Sequence, residues 1–88
     1  MDRYRTGMLA RSKAGHDAGK IYVIMETDGA YAYLADGRIR TAAKPKKKKI
    51  KHIELICREH DISEADDAQL RRILKEYQNN VLIEEEEI

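Results

Sequence analysis

Tryptophan and phenylalanine are absent, and cysteine and proline occur once each in 88 residues. The lone Cys57 cannot close an internal disulfide, which excludes a disulfide scaffold and suits a reducing compartment. It lies between apolar residues in HIELICREH and reads as a buried structural thiol. His52 and His60 complete no familiar zinc spacing with it, so no metal is expected. One proline and five glycines exclude collagen-like and proline-rich compositions. Long apolar runs are missing too. The stretch at residues 21–25 (IYVIM) is far short of the roughly 20 residues that cross a bilayer. The opening MDRYRTGMLARSK carries charges where a targeting segment needs an apolar region. We therefore expect no membrane contact and a cytoplasmic protein.

Catalytic patterns are missing as well. His16, His52 and His60 fall in no nucleophile motif, and no H-E-x-x-H pair occurs. Residues 15–20 (GHDAGK) resemble a phosphate loop only superficially, because the glycine spacing is wrong and Ile21 stands where Ser or Thr would bind a metal. A chain this short buries about 60–65% of its unfolded surface, which makes a deep catalytic pocket hard to build. No enzyme, cofactor or small-molecule substrate is expected.

What the chain has is charge, unevenly distributed. The net charge of +1 conceals +8 over residues 1–52 and −7 over residues 53–88. Such a split points to a half that faces a polyanion and a half that does something else. Within the basic half, residues 44–51 read KPKKKKIK, six lysines in eight positions. We read this run as a flexible loop that contacts nucleic-acid phosphates; a solubilising loop is the plainer alternative.

Alternation and turn signals predict strands over residues 8–13, 20–26, 30–35 and 38–41, with the two Asp-Gly pairs at 28–29 and 36–37 as turns. Residues 50–56 alternate imperfectly and are expected as a fifth strand closing a small barrel. After that the period changes. Residues 63–66 (SEAD) fit a capping box, and Leu70, Ile73, Leu74 and Tyr77 recur at helical spacing. Asn79-Asn80 is expected to end this helix, leaving residues 81–83 as a short strand or docking tail. Glu84 to Glu87 are expected to be a solvated terminus, or less simply a shield for the lysine run. The fold class is thus mainly β, a small five-stranded SH3-like barrel with a C-terminal amphipathic helix. Residues 1–60 form the barrel, with the lysine loop at 44–51; residues 61–88 form the helix and acidic tail of the same single domain.

Phosphate contact needs many cations on one surface and tolerates loose spacing. Arg11, Lys13 and Lys20 bracket the first loop, Arg38 and Arg40 share a strand face, and Lys44, Lys46, Lys47, Lys48, Lys49 and Lys51 supply the arm. Tyr22, Tyr31 and Tyr33 either stack on bases or, more simply, fill or cap the barrel. The stripe Leu70, Ile73, Leu74 and Tyr77 offers a second use, docking to another protein.

The stretch TGMLARSKAGHDAGKIYVIM resembles the KOW motif, the first hairpin of an SH3-like barrel found in ribosomal proteins and transcription elongation factors. With LADGRIRTAAKPKKKKIKH following, the chain is similar over residues 6–55 to the ribosomal L14e/L6e/L27e group, in a short bacterial version. The resemblance implies binding of ribosomal RNA, at or near the large subunit. It assigns Arg11, Ser12, Lys13, Gly19 and Lys20 to the motif, with Lys44 and Lys46 to Lys49 behind them. Gly15 and Gly19 are expected mainly to let the loop turn. The alternative expectation is an adaptor of the transcription or translation machinery, with ribosomal proteins or RNA polymerase as partners of the helix.

Overall fold

The computed structural model of the chain describes residues 5–62 and 65–86, at backbone level only for residues 57, 58 and 81–86. Five strands form one antiparallel sheet: β1 (Met8–Ser12), β2 (Ile21–Thr27), β3 (Tyr31–Ala35), β4 (Lys46–Lys49) and β5 (Ile53–Glu59). Their spatial order is β4-β3-β2-β1-β5, and a helix, α1 (Asp67–Glu86), follows. The fold is mainly β, a sheet curled into a half-barrel of the SH3-like kind with a C-terminal helix.

Strand alternation divides the apolar residues between the two sheet faces. Inside the curl, Ala10, Tyr22, Ile24, Ala32, Leu34 and Ile53 are buried together. On the outer face, Leu9, Val23 and Ala35 pack against Leu70, Ile73 and Leu74 of α1 and against Ile62. Burying each larger aliphatic side chain contributes about 1.5–3 kcal/mol, enough to hold a helix that is marginal alone. The amphipathic stripe therefore has its partner within the chain. Leu70, Ile73 and Leu74 are buried and Tyr77 is half-buried against the same cluster.

Three expectations need correction. Residues 38–41 are no strand. The Asp36 carboxylate Oδ1 accepts from the backbone N–H of Arg38 and of Arg40, at 2.9 and 3.0 Å. Those amides are thereby diverted from a strand ladder into a closed loop. The fourth strand is instead the lysine run, so Lys46 to Lys49 are no flexible arm or loop; they pair with Leu34, Tyr33, Ala32 and Tyr31 of β3. The expected fifth strand begins later, because Ile50–His52 form a single 3-10 turn. That turn is tied at both ends, Ile50 N–H to the Ala30 carbonyl and Lys13 N–H to the His52 carbonyl.

The helix also differs at both ends. Asp66 caps its start: the Asp66 Oδ1 accepts from the Gln69 N–H at 2.9 Å. Ser63 and Glu64 of the expected capping box lie outside the described residues. The helix runs past Asn79-Asn80 to Glu86, so residues 81–83 are helical backbone, not a strand, and Glu84 to Glu86 belong to the last turns. Glu87 lies outside the described residues.

Gly37 joins the sheet to the helix. It sits at φ 77°, and a Cβ there would run into the carbonyl oxygen of Asp67. The Arg71 guanidinium also donates to the Gly37 carbonyl at 2.6 Å. Gly37→Ala is expected to destabilise the fold by at least about 1 kcal/mol, from positive-φ strain plus the steric conflict. Urea denaturation reads this directly, and an unchanged midpoint would show that the loop moves off the helix freely.

Candidate nucleic-acid interface

The antiparallel register brings the end of β1, the start of β2, the end of β3 and the start of β4 to one end of the sheet. The β1–β2 loop and the β3–β4 connection therefore lie side by side. Both carry cations, and one buried carboxylate fastens them together.

That carboxylate is Asp17, which is 6% exposed. Its Oδ1 accepts from Lys48 Nζ at 2.6 Å and from Ser12 Oγ at 2.8 Å. Its Oδ2 accepts from Lys46 Nζ at 2.8 Å and from the Tyr22 hydroxyl at 3.1 Å. Lys48 also donates to Ser12 Oγ and to the Ala14 carbonyl, each at 2.7 Å, so its buried ammonium is fully satisfied. Burial alone would raise the Asp17 pKa. The bonds from Lys46, Lys48, Ser12 and Tyr22 outweigh it and hold the carboxyl well below the usual range. Burial and then the bond to Asp17 push the Tyr22 hydroxyl up to about 12.

This clamp shapes the β1–β2 loop. The loop turns through Gly15 and Gly19, at φ 86° and 91°, and its backbone closes by Gly19 N–H to the Ser12 carbonyl. Ser12 and Lys48, both expected to face RNA, are buried in the clamp, and Lys46 is ion-paired there. Arg11 stands on the other side of the sheet end, 3.4 Å from Glu54 across β1 and β5. The remaining expected cations, Lys13, Lys20, Arg38, Arg40, Lys44, Lys47, Lys49 and Lys51, are all exposed.

Two adjoining hollows collect part of this charge. The larger, about 670 Å³, lies between the β1–β2 loop, the β3–β4 connection and α1, with Lys20, Arg38, Arg71 and Lys75 on its walls. The smaller, about 170 Å³, is bordered by His16, Lys20, Arg40, Lys46 and the exposed Ile39. Lys20 and Asp36 belong to both. Of the two acids there, Asp17 is ion-paired in the clamp, whereas Asp36 is held only by neutral backbone amides and keeps its negative charge. Cations therefore outnumber acids on this open surface. Arg71 and Lys75 are not among the cations that the sequence singles out for phosphate contact. Their i, i+4 spacing beside the apolar stripe was the available signal, since it sets both on the helix flank that meets the loops.

Among the described residues no three His, Cys, Asp or Glu side chains converge as metal ligands. No helix among them is long and apolar enough to cross a membrane. No protein-family model matches the chain, and no curated protein matches it.

Proposed function

We propose that the protein binds RNA, gripping phosphates with the β1–β2 loop, the β3–β4 connection, the exposed lysines of β4 and the basic flank of α1. One observation carries this reading: Lys20, Arg38, Arg40, Arg71 and Lys75 line adjoining hollows in which Asp17 is ion-paired and Asp36 is the one acid left without a salt bridge among the described residues. A phosphate entering there meets five cations against the single uncompensated charge of Asp36. Structured RNA is preferred over duplex DNA because small barrels commonly read shape and backbone, and the start of α1 carries Asp66 and Asp67, which would meet phosphates poorly at that end. The resemblance to KOW-motif ribosomal proteins supports large-subunit ribosomal RNA as the target and a cytoplasmic, ribosome-bound location. The alternative, an adaptor docking through Leu70, Ile73 and Leu74, gains nothing from the burial of those side chains.

The test is the affinity for a structured RNA hairpin at two salt concentrations. Six to eight phosphate contacts predict a loss of about three decades between about 50 and 200 mM salt. Affinity that barely responds to salt would refute the phosphate grip. Recovery of the tagged protein from lysate, with and without ribonuclease, then locates the RNA. Large-subunit RNA in the recovered fraction supports the ribosomal assignment, and protein partners that survive ribonuclease with no RNA enriched support the adaptor.

A further inference from the structure

The opposite end of β3 and β4 carries a different chemistry. Register places Tyr31 opposite Lys49 and Tyr33 opposite Lys47, on the outer sheet face that α1 covers only further along. Beside Tyr31 opens a hollow of about 430 Å³, lined by Gly29, Ala30, Tyr31, Lys49, Ile50 and Lys51. Its base is fixed by the bond from the Ile50 N–H to the Ala30 carbonyl at 2.9 Å. Tyr31 is anchored by its own N–H, which donates to the Asp28 Oδ1 at 2.9 Å. The Lys47 ammonium stands 4.3 Å from the centroid of the Tyr31 ring.

We infer that this hollow takes an unpaired nucleobase of RNA, stacked on Tyr31, with Lys47, Lys49 and Lys51 on the flanking phosphates. The inference rests on the RNA-binding reading and adds a second site to it. The walls join a ring and an aliphatic side chain with lysines and no acid, which suits a planar apolar group carrying anions on either side. Lys47 now occupies a face of the ring, and magnitudes decide whether it yields. An exposed cation–π contact contributes about 0.5–1 kcal/mol, whereas stacking a base on an aromatic side chain contributes about 1–3 kcal/mol. The base therefore displaces the ammonium, which is long enough to turn to a phosphate. Bases within a duplex are already stacked and cannot reach the ring, so the site selects single strands and loops.

The experiment compares a short oligoadenylate with a blunt RNA duplex, using Tyr31→Ala and Tyr31→Phe. Tyr31→Ala is expected to weaken oligoadenylate binding about 5- to 150-fold, the equivalent of 1–3 kcal/mol of stacking, with duplex affinity unchanged. Tyr31→Phe keeps the ring and keeps the affinity. The absence of tryptophan gives a second readout, because tyrosine dominates the emission. Oligoadenylate quenches wild-type fluorescence, and that quenching is lost in Tyr31→Phe although binding persists, an outcome that no folding defect imitates. Equal losses for both RNAs in Tyr31→Ala, or none for either, overturn the base site. If Tyr31→Ala changes neither while wild-type binding keeps its steep salt dependence, the phosphate grip stands and the base site falls. If wild type binds neither RNA at low salt, both fall.

Discussion

Asp17→Ala is expected to destabilise the fold by about 3–5 kcal/mol, the range for removing one partner of a buried ion pair. The cause is what the substitution leaves behind. Lys48 is 9% exposed, and without the carboxylate its ammonium keeps only the Ser12 hydroxyl and the Ala14 carbonyl. Domains of this size have a total stability of roughly 5–10 kcal/mol, so a measurable fraction of the variant should be unfolded without denaturant. Changing Lys48→Met in the same chain removes the stranded charge and should recover a large part of the loss. Urea denaturation of wild type, single and double variants tests this; a double variant no more stable than the single one would show that the clamp acts through geometry and not through charge.

The same carboxylate fixes the response to acid. Its pKa is depressed in the folded state, so its contribution is complete above the ordinary carboxylate value near about 4 and is lost as pH falls towards the lower folded value. Wild type should therefore lose stability steeply below about pH 4, and Asp17→Asn should show a shallower slope there from a lower plateau.

Removing four exposed cations of the two hollows together, Lys20→Ala, Arg38→Ala, Arg40→Ala and Lys75→Ala, is expected to weaken RNA binding about a thousandfold near 0.1 M salt. Each phosphate contact supplies about 0.7–0.9 of a decade between molar and 0.1 M salt, and the slope of log affinity against log salt should fall by about three. None of these four side chains is buried, so the denaturation midpoint should move little. This set is preferable to substituting Lys46 to Lys49, because losing Lys48 would unseat the clamp and confuse unfolding with lost contact. An unchanged RNA affinity would remove the two hollows from the interface.

Local signals were sufficient where neighbours in sequence are also neighbours in energy. The β-branched and aromatic run of β2, the alternation of β3 and the apolar stripe of α1 all fold as their periods indicate. They failed where a distant side chain decides. Four consecutive lysines repel one another in any isolated view, and they become a strand because Asp17, about thirty residues earlier, takes Lys46 and Lys48. Residues 38–41 were misread for the converse reason, since a carboxylate two to four positions back captures their amides. Asn79-Asn80 suggested a helix end, but two asparagines cost only about 1 kcal/mol in a helix, and no glycine or proline follows to stop it. In the candidate site, the basic loops were legible as charge, whereas the share of α1 depended on which flank of the helix meets them. Which cations remain available was equally hidden, because burial in the clamp withdraws Lys48 and Ser12 from the surface.

The position of β4 in the sheet has a consequence for the life of the protein in a crowded solution. As the last strand in the order β4-β3-β2-β1-β5, it presents a row of backbone donors and acceptors with no strand beyond it among the described residues. Such a border invites another chain to add a strand. Here, any copy approaching to do so meets Lys47 and Lys49, and its own β4 would bring the same charges with it. The residues proposed to hold RNA thus also keep copies of the protein apart. Neutralising them by acetylation or substitution would be expected to favour self-association along this border as well as to loosen the hold on nucleic acid.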